Sequence, residues 1–372
     1  MRVLHWVYPF SPDRGGQSIF IQRIALGFAD LGHDVALAME PQSEADMQSL
    51  QEIFGSKVKR FHLNLDDLIQ KKAIGVGLFR IAAVIEEFKP DIIHIHNLKS
   101  RGLVFLRFYL TLKGRHIRTV CTMHDLVTLH QVTLLLKSNS LVKQLDMVVA
   151  PSQFMLSKLG ELDPTVHKHL SMIHNGVPKR ILDSDVKQGP LKLLFAAELN
   201  EHKGGVYLLN AWAKIFKEFP DVTLTVAGDG DARGFLTQLA QNLGLGSQIE
   251  FVGWLSQEQI NHVFGGDCIL IIPSMIGEAF GLIAAEAAMA RVPVIAHEIG
   301  ALPEVVVHNE TGITVPIGDT QALALAIKKL ISDPKLRIAL GQAAQKRAIS
   351  HFSMEICLNA YRNLFTEVRS KI

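Results

Sequence analysis

Apolar residues along this chain alternate between short continuous runs and longer segments with helical spacing. Val3 to Val7 is a short run that predicts a buried strand, and Ile21, Ile24 and Phe28 then repeat at the spacing of an amphipathic helix. Val35 to Met39 predicts the next strand. The same alternation continues through the first half of the chain and starts again near residue 191. This order predicts an α/β fold in which helices cover both faces of a mostly parallel sheet.

A polar segment without periodicity separates the two alternating sets. Residues 178–190 have neither a strand nor a helix pattern, and we interpret them as an interdomain linker. The chain of 372 residues is long enough for two domains that each bury a core. We therefore predict doubly wound, Rossmann-like domains at residues 1–177 and 191–353, followed by a C-terminal helical segment at 354–372.

One stretch of the second set joins a strand, a loop and a helix with two carboxylates. Cys268 to Ile272 predicts a buried strand, Glu278 lies in the following loop, and an apolar helix is predicted to begin at Phe280. Glu286 lies inside that helix, eight residues after Glu278. The first N–H groups of a helix have no partner within it and lie at its positive end, so they bind anions. The residues predicted to offer them are Ala279, Phe280, Gly281 and Leu282.

Two interpretations of these carboxylates are open from the residues alone. In the simpler one, Glu278 interacts with the helix dipole and Glu286 belongs to the solvated face of a surface helix. In the other, both accept hydrogen bonds from hydroxyl groups of one ligand whose phosphates lie on the helix terminus. The spacing of the two residues does not choose between them.

The text around the two carboxylates resembles a family signature. Glu278 to Glu286, which enclose AFGLIAA, resemble the E-x7-E motif of retaining, nucleotide-sugar-dependent glycosyltransferases of family 4, which have the GT-B fold. The segments VPVIA, GALPEVV and NETGITVP follow in the order of that family's C-terminal half. The resemblance implies two Rossmann-like domains facing a cleft, with the acceptor side in the first and nucleotide-sugar binding in the second. It also implies that the C-terminal helix packs back on the first domain.

The resemblance assigns roles to residues of the first domain. Gly15 and Gly16 match the family's N-terminal glycine loop and are implied to lie against the donor diphosphate, although two glycines before a helix also fit a simple turn. His124 follows the strand in TVCTMHDL, and the carboxyl ends of strands are where open α/β sheets bind ligands. The matching family histidine is beside the donor sugar and acceptor, in hydroxyl binding or electrostatic support. Asn175, in the Asn-Gly turn of MIHNGV, is a further implied substrate-binding residue.

In the second domain the resemblance implies that Lys203 neutralises the diphosphate, Glu278 holds sugar hydroxyls and Glu286 holds the ribose. The chain departs from the family at Glu198, where the family usually has a diphosphate-binding arginine. Either Glu198 turns away, or another cation such as Arg14 supplies the charge, or donor binding is weakened. Arg291 stands where the family commonly has a small glycine.

No metal and no cofactor are predicted. His94 and His96 share one face of a predicted strand, but no third ligand of matching spacing accompanies them in the sequence. Asp229-Gly230-Asp231 has the form of a metal-binding DxD motif, yet it occupies a turn that the family also has. Fingerprints of dinucleotide dehydrogenases, P-loop kinases, serine hydrolases and zinc proteases do not occur in the sequence.

Charge and composition limit the partners. A net charge of +2 indicates no bulk attraction to nucleic acid, and three cysteines in apolar stretches are typical of reduced thiols in a cytoplasmic protein. No apolar run reaches the roughly 18 residues of a spanning helix, and the N-terminus has no signal-peptide pattern. Residues 99–118 are basic and apolar without an acidic residue. They predict either a core-packed helix with a solvated rim or a surface for anionic lipid at the inner face of the plasma membrane.

The resemblance, taken with these observations, implies a metal-independent retaining glycosyltransferase of the hexosyltransferase type. It would move a sugar from a nucleoside-diphosphate sugar to a hydroxyl acceptor, a sugar or a lipid-linked group, in the synthesis of a glycolipid or polysaccharide. One alternative is a sugar-nucleotide epimerase, which shares the GT-B architecture but needs no acceptor. The other, motivated by Glu198, is a non-catalytic subunit that binds nucleotide sugars.

Overall fold

The computed structural model of the chain describes residues 1–10, 15–41, 43–63, 65, 74–97, 106, 109–110, 117–125, 145–162, 168–180 and 189–370. Contacts divide the chain into two units. Unit 1 consists of Met1–Gly176 and Met354–Ile372, and unit 2 is Val177–Ser353. The described residues of the predicted linker therefore belong to unit 2.

Unit 1 contains a seven-stranded sheet in which all paired strands are parallel. Its order is β3-β2-β1-β4-β5-β6-β7. The strands are β1 (Arg2–Phe10), β2 (Asp34–Pro41), β3 (Lys59–His62), β4 (Ile92–His96), β5 (Arg118–Thr122), β6 (Met147–Ala150) and β7 (Leu170–Met172). Four helices of the first segment are α1 (Gly16–Asp30), α2 (Glu44–Phe54), α3 (Ile74–Phe88) and α4 (Gln153–Leu162).

Unit 2 repeats this architecture with a six-stranded parallel sheet of order β10-β9-β8-β11-β12-β13. The strands are β8 (Lys192–Ala196), β9 (Thr223–Ala227), β10 (Ile249–Gly253), β11 (Cys268–Ile272), β12 (Val294–His297) and β13 (Gly312–Val315). The helices are α5 (Gly205–Ala213), α6 (Arg233–Asn242), α7 (Gln257–Gly265), α8 (Leu282–Met289), α9 (Leu302–Val305), α10 (Thr320–Ser332) and α11 (Pro334–His351).

The last helix, α12 (Met354–Ser370), returns to unit 1. Its buried residues recur at helical spacing and join the core that α1 forms with the sheet. Phe365 stacks on Phe28 of α1 at 5.4 Å between ring centroids. Gly27 permits the close approach of the two helices, because a Cβ there would lie 2.6 Å from Leu358. The buried face of α12 consists of Cys357, Tyr361, Leu364, Phe365 and Val368.

The start of α8 corrects the sequence prediction. The helix begins at Leu282 and not at Phe280, because Gly281 has φ of 87° and caps the helix in a left-handed conformation. Phe280 lies before the helix and packs edge-to-face on Phe352, with ring centroids 5.4 Å apart. Ala279 and Phe280 therefore precede the first turn. The sequence also predicts one helix near Val206 to Phe219, whereas α5 ends at Ala213.

Arg291 stands where the family that the sequence resembles commonly has a glycine. Its φ is 56°, in the region that favours glycine, directly after α8 and before β12. The arginine is accommodated there with its Nε donating to Gln345 Oε1 at 2.7 Å.

Candidate functional site

Two loops at the carboxyl ends of neighbouring strands β8 and β11 are fixed against each other. Gly204 has φ of 73°, and a Cβ on it would lie 1.8 Å from the carbonyl oxygen of Pro273. The N–H of Met275 donates to the carbonyl oxygen of His202 at 2.8 Å. Only a glycine allows this approach. The loop that carries Lys203 is therefore held beside the loop that carries Glu278.

Lys203 and Glu278 form an ion pair at this position. The Nζ of Lys203 donates to Glu278 Oε1 at 2.6 Å, and Ser274 Oγ donates to the same oxygen at 2.8 Å. The side chains of Lys203 and Glu278 remain 31% and 23% exposed, so both are accessible to a ligand. Two residues that the sequence predicts to act on one ligand therefore lie together, and Ser274 joins them.

A third loop fixes the backbone of Glu278. The N–H of Ala301 donates to the carbonyl oxygen of Glu278 at 2.9 Å. Gly300 has φ of 61°, and a Cβ on it would lie 2.5 Å from the backbone nitrogen of Glu278. The carboxylate thus extends from a backbone that is held on one side by β11 and on the other by the loop after β12.

His297 is a residue that sequence reasoning missed. It is fully buried at the end of β12, and its Nδ1 bonds to the carbonyl oxygen of Ser274 at 3.1 Å. Burial lowers its pKa, and the hydrogen bond to Ser274 opposes this shift. It thereby supports the loop whose serine donates to Glu278. The signal was its strand-end position after VPVIA, the same criterion that singled out His124.

The N-terminus of α8 lies directly after this pair. The N–H groups of Leu282 and Ile283, in the first turn, have no hydrogen-bond acceptor among the described residues, and both residues are partly exposed. Glu286 lies one turn further on and is only 6% exposed. Gln257 Nε2 donates to its Oε2 over a long 3.5 Å. The interpretation of Glu286 as part of a solvated helix face is therefore wrong.

In unit 1, His124 lies just beyond the end of β5 and is partly exposed. The backbone N–H of His124 donates to Asn97 Oδ1 at 2.6 Å. Asn97 Nδ2 donates in turn to Gln17 Oε1 at 2.8 Å and to Asp125 Oδ2 at 3.0 Å. Asn97, which sequence reasoning also missed, has φ of 65°. It connects the His124 backbone to the first turn of α1.

The predicted glycine loop is at the start of that helix. Gly15 has φ of 83° and caps α1, and Gly16 is its first residue; both are exposed. Among the described residues, no atom lies within 4 Å of a Cβ built on Gly15, and its positive φ is the reason for glycine that these residues show. Asn175 lies apart from these residues in the sequence, is 7% exposed, and its Oδ1 is buried without a hydrogen-bond donor in the described part of the chain.

Histidines line the same face of the unit 1 sheet. His5 of β1 is in register with His94 of β4, and both are fully buried. His96, two residues further along β4, is also buried. The expectation that His94 and His96 have no third partner is wrong, because ring nitrogens of His5, His94 and His96 lie within 4.8 Å of one another. The absence of a bound metal stays a prediction.

Two family profiles match consecutive parts of this chain. The profile described as "Glycosyltransferase Family 4" matches residues 14–180, and the profile described as "Glycosyl transferases group 1" matches residues 180–347. The chain belongs to the group 1 glycosyltransferases. Its two parallel-sheet units are the GT-B fold.

Similar proteins agree with this membership. The group 1 chain is 24% identical to a glycogen synthase of Mycobacterium tuberculosis over 98% of its length and 94% of the relative's. It is 25% identical to the N-acetyl-α-D-glucosaminyl L-malate synthase of Bacillus anthracis, over 78% of each chain. Among solved structures, Anabaena HepE in complex with UDP and glucose superposes with a TM-score of 0.79 at 20% identity, covering 99% of this chain and 100% of the other.

Glu198 stands where the family that the sequence resembles usually has an arginine. It follows β8, is exposed, and its side chain forms no hydrogen bond within the described ranges. Its loop is fixed by glycines, since a Cβ on Gly228 would lie 1.8 Å from the carbonyl oxygen of Ala197. Arg14, suggested as a substitute cation, lies outside the described residues. Asp229 of the DxD-like text accepts from Gly230 N at 2.9 Å and from Arg233 Nη1 at 3.3 Å, as a turn residue does.

The basic segment 99–118 of the glycosyltransferase lies mostly outside the described residues. Leu106 and Tyr109, which are described, are buried. Among the described residues, no helix is both long and apolar enough to cross a membrane.

Proposed function

We propose that the chain is a retaining glycosyltransferase that moves a hexose from a nucleoside-diphosphate sugar to a hydroxyl group of an acceptor. The observation that carries the proposal is the Lys203–Glu278 pair held at the N-terminus of α8. Membership of the group 1 family supports it, and so does the likeness to HepE, which was crystallised with UDP and glucose. In the reaction the bond from the anomeric carbon to the phosphate oxygen breaks and a bond to the acceptor oxygen forms on the same face.

The leaving diphosphate carries the negative charge that develops during transfer. Lys203 Nζ has three N–H donors, and the bond to Glu278 uses one of them. The N–H groups of Leu282 and Ile283 add the positive end of a helix dipole. Charge stabilisation by groups already in position is the largest catalytic effect available to such a site. The acceptor proton goes to the departing phosphate, so no protein base is assigned.

Glu278 and Glu286 bind hydroxyl groups in this proposal. Glu278 Oε2 accepts no hydrogen bond in the described part of the chain, which leaves it for a sugar hydroxyl. Lys203 beside it offsets the repulsion between the carboxylate and the diphosphate. A ribose hydroxyl can replace the long contact between Glu286 and Gln257. The remaining assignments rest on resemblance to the family. They are His124 to a sugar hydroxyl, Gly15 and Gly16 to the donor diphosphate, and Asn175 to substrate binding.

The proposal extends to the setting of the reaction. Transfer without metal or cofactor is proposed because Lys203 and the α8 terminus supply the positive charge. We propose a cytoplasmic protein with a glycolipid or polysaccharide precursor as acceptor. The relative named glycogen synthase supports a sugar acceptor. Contact of residues 99–118 with the inner face of the plasma membrane is tested by sedimentation with anionic and neutral vesicles.

Product analysis distinguishes the proposal from its alternatives. Purified protein is incubated with UDP-, GDP- and ADP-sugars, with and without sugar and lipid-linked acceptors and with EDTA. Release of free nucleotide, with the sugar joined to acceptor or water in the α configuration of the donor, supports retaining transfer. A changed sugar still attached to its nucleotide identifies an epimerase. Tight binding without turnover for every acceptor identifies a binding subunit, and loss of activity in EDTA contradicts metal independence.

A further inference from the structure

Three imidazoles form a hydrogen-bonded row from the core of unit 1 to its surface. His5 Nδ1 lies 3.0 Å from His96 Nε2, and His96 Nδ1 lies 3.0 Å from His124 Nε2. The rings are nearly parallel, with interplanar angles of 22° and 16°. His5 and His96 are buried, whereas His124 is partly exposed. The row therefore connects a closed interior end to an end that a ligand can reach.

The imidazoles of the row are neutral near neutral pH. Burial lowers the pKa of His5 to about 3 and that of His124 to about 4, although Asp125 opposes the shift of His124. Burial, together with the neighbouring histidines, lowers the pKa of His96 well below its ordinary value. A neutral imidazole has one N–H donor and one acceptor nitrogen. Each ring that donates along the row must accept at its other nitrogen, so all the hydrogen bonds run in one direction.

The interior end sets that direction. His5 Nε2 is buried and has no hydrogen-bond partner among the described residues. A proton on this nitrogen would leave a buried N–H donor unpaired, and orphaned donors are rarer in proteins than orphaned acceptors. The proton of His5 is therefore on Nδ1 and is donated to His96 Nε2. His96 then carries its proton on Nδ1 and donates it to His124 Nε2.

We propose that His5 and His96 are positioning residues that hold His124 as its Nδ1–H tautomer. Within the described ranges, Nδ1 of His124 has no hydrogen-bond partner, whereas Nε2 is occupied by His96. His124 therefore presents an N–H donor to an oxygen atom of the bound ligand, and it does not act as a base. The ligand assignment rests on the proposed function, in which that oxygen belongs to a sugar hydroxyl; the tautomer does not depend on it.

The backbone around His124 supports the same orientation. Asn97 Oδ1 accepts a hydrogen bond from the backbone N–H of His124. The ring centroid of Phe20 lies 5.2 Å from that of His124. His94 belongs to a separate branch, in which its Nε2 lies 2.8 Å from Thr122 Oγ1 and that hydroxyl lies 2.8 Å from Tyr361 OH. Both ring nitrogens of His96 are used by the row, so a metal ion bound by His5, His94 and His96 would have to replace one of these hydrogen bonds.

The tautomer of His124 is measured directly by ring-nitrogen NMR of protein with isotope-labelled histidine, with His124 assigned from the spectrum of His124→Gln. The expected result is a protonated Nδ1 and an unprotonated Nε2. A protonated Nε2 on His124, or a stoichiometric tightly bound metal in the purified protein, overturns the proposal. The wild-type spectrum decides this point even where a buried substitution prevents folding.

Two substitutions of His96 form a matched pair. The amide of Asn places an N–H near the position of imidazole Nδ1, whereas the amide of Gln reaches the position of Nε2. His96→Asn is expected to keep the His124 tautomer, and His96→Gln to shift it toward Nε2–H. An unchanged tautomer in a folded His96→Gln protein contradicts the proposal.

Turnover provides the link to function. For transfer from a sugar nucleotide, His96→Gln is expected to lower kcat about tenfold, the scale of one neutral hydrogen bond, with the KM for the donor unchanged and His96→Asn close to wild type. If the tautomer shifts without any change in kcat, the row is present but its ligand role is refuted. If no variant and no wild-type protein transfers sugar, the proposed function fails while the tautomer result stands.

Discussion

The two units place their functional residues at the same topological position but give it opposite electrical character. At the strand ends of unit 1, His124 and the imidazoles behind it are held neutral by burial. At the strand ends of unit 2, Lys203 and Glu278 form a partly exposed ion pair just before the N-terminus of α8. Parallel-sheet topology thus gathers polar side chains at the strand ends of each unit, and local burial decides whether they are neutral imidazoles or an ion pair.

The difference has a structural origin in the neighbouring helices. Tyr361 and Phe365 of α12 pack over the histidine face of unit 1, with ring centroids 5.2 and 5.4 Å from His94. In unit 2 the Lys203 and Glu278 loops are fixed by close backbone contacts at Gly204 and Gly300, which leave the side chains accessible. A neutral site suits hydroxyl groups, and a charged one suits a diphosphate.

Acidification gives the largest expected effect and separates the two units. Because the folded-state pKa values of His5 and His124 lie below 6.5, these two imidazoles bind protons more readily in the unfolded chain than in folded unit 1. Their contribution to stability is complete above pH 6.5 and is lost as the pH falls toward about 4 for His124 and about 3 for His5. The loss is about 1.4 kcal/mol per pH unit for each imidazole. Hydrogen exchange of core amides at a series of pH values measures it.

Unit 2 serves as the internal control for this measurement. In the described part of unit 2, His297 is the histidine whose pKa is lowered by burial. The hydrogen-exchange protection of the unit 2 core is therefore expected to fall less steeply with pH than that of unit 1. Equal losses of protection in the cores of both units would contradict the assignment of neutral imidazoles to unit 1.

Glu278→Ala tests the charged strand end. It is expected to lower turnover of a sugar nucleotide by about 100- to 1,000-fold, the effect of removing one group in position at a transition state. Stability should change by less than about 1 kcal/mol, since the ion pair with Lys203 is partly exposed. Initial rates and thermal unfolding are compared with those of Glu310→Gln, an exposed carboxylate of the same unit. Normal turnover in Glu278→Ala would remove this residue from the site.

Gly204→Ala tests whether backbone contact holds the pair in place. Gly204 and Gly244 both have positive φ. A Cβ on Gly204 would meet the carbonyl oxygen of Pro273, whereas a Cβ on Gly244 would meet no atom of the described chain within 4 Å. Both alanine variants are expected to lose about 1 kcal/mol of stability from backbone strain. Gly204→Ala should lose a further 1–3 kcal/mol or so from the clash and should also weaken donor binding. Equal urea unfolding midpoints for Gly204→Ala and Gly244→Ala would show that the Gly204 loop accommodates the added methyl group without loss of stability.

Glu198→Arg is expected to have the smallest effect and addresses the departure from the family. A new charge-assisted hydrogen bond to the diphosphate would tighten nucleotide binding about tenfold, at the low end for such bonds in an exposed loop. Glu201→Arg is the control, because it makes the same change of charge on a neighbouring exposed residue. Calorimetric titration with nucleoside diphosphate gives both affinities. Equal gains in the two variants would indicate general charge attraction and leave no special role for position 198.

The order of elements was readable from the sequence, and several bounds agree closely. Cys268 to Ile272 was predicted as a strand from its continuous apolar text, and the structure has the same bounds. Val35 to Met39, predicted in the same way, lies within β2. These signals are local. The start of α8 was wrong because Phe280 is as apolar as a helix residue, and its burial against Phe352 depends on a contact that is distant in sequence.

The side-chain clusters of the candidate site depended on sheet order, which residue spacing does not reveal. His5 was not recognised as a partner of His94 and His96, because β1 and β4 are neighbours only once the order β2-β1-β4 is known. The contact of Lys203 with Glu278 likewise requires β8 to lie beside β11. The E-x7-E text drew attention to Glu278 and Glu286, but it contained no information on the burial of Glu286.

The return of α12 to unit 1 has a consequence for biosynthesis. Tyr361 and Phe365, which complete the unit 1 core, leave the ribosome only after every residue of unit 2. Unit 2 is continuous in sequence and can close its own core before α12 is synthesised. Until then, unit 1 lacks the α12 side chains that pack against α1. The core of the earlier-translated half therefore cannot be completed until the last helix of the chain has been synthesised.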